Sequence, residues 1–403
     1  MEFPKYTTIA GQRFPVGSIG ENDTRYRIAN TNIDECKEYA SNLEKEGFLL
    51  RMQKEIPSGG KGVNVFYEYV KQENKNKNNI RAYVFWDASI YTTFITFEVS
   101  NRKQDDLLFD KSLAIANKDD LSPVMFTQLQ IEAGMCYIVQ TRNDEFILVD
   151  GGAYNERDEK RLYEFLVKNT QTNCPQIALW IFTHSHDDHI GLATHFISFY
   201  KDKVNVKAFA YQFPDCDKIT VSMESVFDMK KDIELLERTI RNSYPKADIY
   251  PLHTGESFFL SGVEIEILWS LDDTYPSYYF SFNDMSAALR IKPKHGKTVM
   301  ILGDCMHEAC RRIAHTYGEY LKSDILQVTH HGLIGGDTWL YKLINPKICC
   351  WSISEERFTG QKANQRYQWC LGEGGCDYNS FLRDDAVCVR KHYCMKENVT
   401  IEL

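Results

Sequence analysis

A chain of 403 residues is too long for one ordinary core, so two domains are expected. No apolar run approaches the roughly 20 residues that a membrane-spanning helix needs, which sets the integral-membrane class aside. The formal charge of −9 argues against an extended basic groove for nucleic acid and leaves room only for a local patch.

The opening segment, Met1-Glu2-Phe3-Pro4-Lys5-Tyr6, has no apolar signal-like stretch. The twelve cysteines are scattered and contain no Cys-x-x-Cys pair, although they become denser from Cys349 through Cys350, Cys370, Cys376 and Cys388 to Cys394. Reduced thiols in a cytoplasmic protein are therefore expected. Thr31-Asn32-Ile33-Asp34 reads as a capping box that opens a helix through Cys36, Tyr39, Ala40 and Leu43, stopped by Gly47. Three strand patterns follow, Val63–Tyr69, Arg81–Trp86 and Thr93–Val99, with the polar tract 71–79 as an exposed turn between the first two. Residues 1–117 thus predict a small α+β module, a helix over an antiparallel sheet, with no concentrated catalytic groups. It should be dispensable for chemistry and free to mediate binding or oligomerisation. The polar stretch from Lys111 to Ser122, ending in Ser122-Pro123, reads as a linker.

Beyond it, strands are expected at 126–131, 136–140 and 146–149, then a helix through Leu162, Phe165 and Leu166. The apolar run Gln176-Ile177-Ala178-Leu179-Trp180-Ile181-Phe182 has the length of a buried strand and ends in Thr183-His184-Ser185-His186-Asp187-Asp188-His189. Only 11 histidines occur in the whole chain, so three within six positions at a strand end predict a metal site rather than a polar turn. Imidazole and carboxylate together suit zinc, iron or manganese. A helix should begin near His189, a long amphipathic one should occupy 225–242, and strands are expected at 263–269 and 287–291.

The spacing His-x-His-x-Asp-His resembles the signature of the metallo-β-lactamase superfamily. Three further segments resemble that family's strands in the same order: Phe146–Val149 ending in Asp150-Gly151-Gly152, Val299–Leu302 ending in Gly303-Asp304, and Ile325–Val328 ending in Thr329-His330-His331-Gly332. The resemblance runs from about Ser122 to Leu403. It implies an α+β fold, a four-layer αββα sandwich preceded by the small α+β domain, with metals along one edge of the sandwich. By the same resemblance His184 and His186 bind a first metal, and Asp188 and His189 a second. Asp304 bridges the two, and one of His330 and His331 completes the second site. Asp150 orients the histidine loop without ligating. The implied cofactors are two divalent transition metals, zinc first, with manganese and iron as competitors. A hydroxide held by them would attack the substrate, with Asp188 and Asp304 at the centre of the chemistry.

Many family members carry a further histidine between the His motif and the bridging aspartate. Here only His195 and His253 lie in that interval, both expected to have other roles. The segment Phe282-Asn283-Asp284-Met285-Ser286 precedes a strand where that ligand belongs, so Asn283 or Asp284 is the candidate replacement, with a turn cap as the alternative. Asn-Asp-x-Ser, Leu-Gly-Asp and His-His-Gly together resemble the hydrolase domain of ComEC-like competence proteins. That subgroup implies a phosphodiesterase or nuclease acting on a small-molecule or nucleic-acid phosphodiester. Carboxylic ester or lactone hydrolysis is the second reading, since the same hydroxide serves both. A non-catalytic metal- or partner-binding protein is the alternative of another class. The di-iron redox branch is not expected, because its members place a glutamate where this chain has His186 and carry a flavin module. Cys305 reads as a small buried neighbour. Tyr278, Tyr279, Tyr378 and Asn379 are candidates for the cleft wall.

Overall fold

The computed structural model describes residues 7–8, 11–12, 24–72, 78–100, 123–219, 225–274, 281–333, 335–359, 379–384 and 389–403. The linker at 111–122 and Tyr278, Tyr279, Tyr378, Cys370, Cys376 and Cys388 lie outside these residues. Among the described residues no helix is long and apolar enough to cross a membrane.

The N-terminal unit is a five-stranded antiparallel sheet with one helix. Its elements are β1 (Arg25–Ala29), α1 (Ile33–Lys45), β2 (Leu49–Pro57), β3 (Val63–Gln72), β4 (Asn79–Asp87) and β5 (Thr92–Ser100), in the spatial order β1-β5-β4-β3-β2. β1 and β2 were not anticipated from sequence. The capping box is real but sits one residue later than expected: Asn32 accepts from the Glu35 backbone, and Glu35 reaches back to the Asn32 N–H.

β3 and β4 are buried along almost their whole length because both faces of the sheet are covered. Val65, Tyr67, Ala82, Val84 and Trp86 face α1 and its neighbours. The alternate residues Phe66, Tyr83 and Phe85 belong to the apolar cluster of the remaining chain. The small module therefore has a core of its own on one face only.

The second unit is a sandwich. Its first sheet uses β6 (Met125–Gln128), β7 (Tyr137–Gln140), β8 (Phe146–Val149), β9 (Gln176–Ile181), β10 (Asn205–Val206), β11 (Ala208–Ala210), β12 (Asp248–Tyr250) and the C-terminal Val399–Glu402. Its order is β12-β11-β9-β8-β7-β6 and then Val399–Glu402, with β10 also pairing β9. The second sheet runs in chain order through β13 (Ser257–Leu260), β14 (Val263–Trp269), β15 (Ala288–Pro293), β16 (Val299–Ile301), β17 (Ile325–Gln327), β18 (Ile348–Cys350) and β19 (Lys391–Tyr393). Ile147, Val149 and Ile181 point into the sandwich. Phe146, Leu148 and Trp180 point to the outer layer of α2 (Glu156–Asn169), α3 (Asp187–Phe199) and α4 (Val226–Ser243). Two covered faces explain why these strands read as unbroken apolar runs.

On the second sheet, Val263, Ile265 and Ile267 join the apolar cluster, while the alternate residues Glu264 and Glu266 face the N-terminal sheet. Lys54 of β2 lies 3.2 Å from Glu266, and Arg290 and Tyr320 also bond that carboxylate, at 2.6 Å each. Asn64 donates to the Thr316 carbonyl, and Thr316 donates to Asp87. His253, stacked on Tyr83, holds Asp272 at 2.7 Å and Glu98 at 3.3 Å. The N-terminal sheet is built into the wall of the sandwich.

Candidate metal centre

Four strands deliver the site. β8 and β9 are parallel neighbours in one sheet, β16 and β17 in the other, and all four end at the same edge. The residues that follow them are Asp150, Thr183 to His189, Asp304, and His330 with His331. Carboxyl ends of parallel strands are where loops can converge on a ligand.

Asp304 sits at the centre. Its Oδ2 lies 3.2 Å from His331 Nε2, 3.3 Å from His189 Nε2, 3.9 Å from His330 Nε2 and 4.0 Å from His184 Nε2. His184 Nε2 is 3.0 Å from His186 Nδ1. Asp188 Oδ2 lies 3.2 Å from His331 Nε2. Two groups of donor atoms within 4.8 Å of one another result, His184 with His189 and Asp304, and Asp188 with His189 and His331.

The donor set fits a divalent metal. His189 Nε2, His331 Nε2 and Asp304 Oδ1 are buried and make no hydrogen bond, an arrangement that costs free energy unless an ion takes up the lone pairs. Burial alone would raise Asp304, but His331 and His189 hold it well below the ordinary carboxylate range. Burial would likewise lower His331, yet Asp304 and Asp188 bring it up to about 9.

Behind these residues lies a frame. Asp150, at φ 56°, accepts from the Thr183 N–H and hydroxyl, each at 2.7 Å, and lies 2.6 Å from His189 Nδ1. It holds the His189 ring by Nδ1, with Nε2 3.3 Å from Asp304 Oδ2. Gln327 ties the other side together by accepting from Leu302 N and donating to the Gly303 carbonyl. Gly303, at φ 54°, would bring a Cβ within 3.0 Å of both Ser286 and Thr183. Asn379 donates to the Gly332 carbonyl at 2.8 Å and so braces the histidine turn. Thr183 and Gln327 carry no sequence signal beyond their place at strand ends.

Asp284 is placed as a helix cap, not the cap of its own turn that the sequence offered. Its Oδ1 accepts from Met306 N at 3.0 Å and Ala309 N at 3.3 Å, at the start of the helix His307–Tyr317. Backbone donors occupy that oxygen, the arrangement of a cap. Asn283 Oδ1 is buried without a hydrogen bond, and its Nδ2 lies 4.0 Å from Met306 Sδ. His195 stacks on Tyr154 at the surface and lies 3.6 Å from Glu159, while His253 belongs to the interdomain seam. Cys305 is buried with its thiol on the Ser286 carbonyl, as expected of a small neighbour.

A sequence model described as the Metallo-beta-lactamase superfamily matches residues 130–273, the stretch that holds Asp150 and the whole histidine motif. The chain contains a metallo-β-lactamase superfamily domain. Among solved structures, the domain is similar to CmlA, a diiron beta-hydroxylase from Streptomyces venezuelae (TM-score 0.41, 11% identity, 70% of this chain and 54% of that one). It is also similar to a metallo-β-lactamase with an HARLDQ motif from Cronobacter sakazakii (TM-score 0.28, 13% identity, 48% and 66%). A flavo di-iron protein mutant from Thermotoga maritima is a third (TM-score 0.25, 9% identity, 67% and 49%). The chain thus spans between 49% and 66% of the length of these three. No curated protein matches.

Proposed function

We propose that this metallo-β-lactamase superfamily domain is a metal-dependent hydrolase acting on a phosphodiester. The observation that carries the reading is the single carboxylate oxygen, Asp304 Oδ2, with four imidazole nitrogens within 4.0 Å. Asp304 and these imidazoles are the residues that would hold divalent ions, with Asp188, His189 and His331 at one position and His184 and His186 at the other. When bound there, they supply Lewis acidity toward a substrate oxygen and acidify water toward neutrality.

The protein does the positioning. Asp304, whose side chain is 2% exposed, is an anchor, whereas Asp188, at 40%, faces the opening and can orient the attacking water through a hydrogen bond. His331 and Asp188 floor a cleft of about 360 Å³ whose wall includes Glu132, Ser354, Glu356 and Arg357. That volume suits a small molecule or a chain end rather than a long duplex, and the net charge of −9 points the same way. The Asn-Asp-x-Ser and His-His-Gly resemblance to ComEC-like hydrolase domains supports phosphodiester over carboxylic ester. The test is to strip the protein with chelator, restore zinc, manganese or iron separately, and assay bis(p-nitrophenyl) phosphate beside a simple lactone. Phosphodiester cleavage dependent on added metal is expected. Full metal uptake with lactone cleavage alone would transfer the reading to ester hydrolysis, and full uptake with neither activity would overturn a hydrolase.

A further inference from the structure

The first metal position has two evident histidines, His184 and His186, and the segment expected to supply a further donor gives Asp284 to a helix cap. We infer that His330 supplies that donor, so that the His-His-Gly turn serves both metals, His330 the first and His331 the second. This assignment rests on the dinuclear reading above.

Distances sort the four imidazoles into pairs. Ligand atoms on one tetrahedral zinc, each about 2.0–2.1 Å from it, lie roughly 3.4 Å apart. His189 and His331 meet that spacing from Asp304 Oδ2, at 3.3 and 3.2 Å, and His331 is also 3.2 Å from Asp188. They belong to the second position. His184 and His330 lie farther from the same oxygen, at 4.0 and 3.9 Å, and His330 is the imidazole around it not yet given to a position. His331 cannot serve both positions with one Nε2, so a donor beside His184 and His186 has to come from elsewhere. With His330, the first position would have His184, His186, His330 and Asp304 to draw on, the number of donors that a tetrahedral ion takes.

The backbone supports the same assignment. His330 and His331 have φ of 49° and 57°, and Gly332 follows at 81°. Two successive non-glycine residues in the left-handed region are strained, and such strain persists only where surroundings fix it. Here they do: His330 N donates to the Gly303 carbonyl, Thr329 Oγ1 donates to the Cys305 carbonyl at 2.7 Å, and Asn379 holds Gly332. A turn that needed one inward imidazole would need one such residue. This one turns both rings onto a single carboxylate oxygen. The His330 side chain is 17% exposed, so a small molecule can reach its place from outside.

The experiment counts metal equivalents on the full-length chain, by elemental analysis after desalting and by the visible absorption of added Co²⁺. His330→Gly is the informative variant, because glycine accepts the positive φ and removes the ring without adding strain. Wild type should keep two equivalents and His330→Gly one, with millimolar imidazole restoring the second and its Co²⁺ absorption. His330→Gly with His186→Ala should still keep one, since both act on the same ion. His330→Gly with His331→Ala should keep none. Near-ultraviolet circular dichroism confirms folding in each case. Two tightly held equivalents and an unchanged Co²⁺ spectrum in His330→Gly would overturn the assignment alone. So would loss of the first ion in Asn283→Ala with retention in His330→Gly. A wild-type chain that takes up no metal would overturn the dinuclear reading and this assignment together.

Discussion

Asp150→Asn is the sharpest probe of the frame behind the metal centre. The substitution keeps size and shape and keeps an oxygen for the Thr183 N–H, 2.7 Å away. It replaces the second oxygen, which accepts from Thr183 Oγ1 at 2.7 Å and faces His189 Nδ1 at 2.6 Å, with an NH₂ donor. A donor there cannot receive the Nδ1 proton, so His189 is driven to the tautomer with its proton on Nε2. That nitrogen is the one directed at Asp304, and a protonated Nε2 has no lone pair for a metal. Losing such an orienting partner costs about 10- to 100-fold in metal affinity, or roughly 1.4–2.7 kcal/mol. The assay is competition with a chelator of known affinity, one equivalent at a time, with circular dichroism to check folding. Only the equivalent that depends on His189 should weaken. If both ions bind Asp150→Asn as tightly as wild type, the tautomer argument is wrong and Asp150 is a turn residue.

Asp304→Ala should reduce bound metal from two equivalents to one at most while the sheets survive, and full retention on elemental analysis would place the bridge elsewhere. Glu266→Ala strands Arg290 and Lys54 in the interdomain seam and should cost about 3–5 kcal/mol in denaturant unfolding. In the wild type, burial would raise Glu266, but Lys54, Arg290 and Lys292 hold it down to about 2, below its ordinary 4.5. A depressed carboxylate contributes stability above its unfolded value, so roughly 3 kcal/mol should be lost between pH 4.5 and 2, and a flat acid profile would contradict the pairing. Asp284→Ala should destabilise by about 0.5–2 kcal/mol, as a lost cap does, with metal content unchanged; loss of an ion at full stability would restore it as a ligand. A chain starting near Ser122 exposes the apolar neighbours of Phe66, Tyr83 and Phe85 and removes Lys54 from Glu266, so it should aggregate or unfold; a soluble truncation with normal metal content would show the seam to be dispensable.

The candidate donors were legible in sequence because each follows a local pattern. Strands β8, β9, β16 and β17 announced themselves as short apolar runs, and each ends in the residue type that a metal edge requires, so Asp150, the histidine motif, Asp304 and His330-His331 could be named before any coordinates. The capping boundary of α1 was legible to within one residue for the same reason. What the sequence left undecided depends on distant segments meeting. Val263-Glu264-Ile265-Glu266-Ile267 alternates like a strand with one wet face, yet the N-terminal sheet closes over that face and turns its glutamates into a buried ion cluster. Asp284 looked like a ligand because it precedes a strand, and it is a cap because a helix starting 23 residues later presents its N–H groups to it. Neighbouring histidines on one turn cannot be told apart by position, and the left-handed backbone at His330 and His331 separates them by where each ring lands around Asp304. Motif spacing specifies which donors a chain owns. Packing between sheets decides which of them come together, because that depends on distances between residues as far apart in sequence as Asp188 and His331.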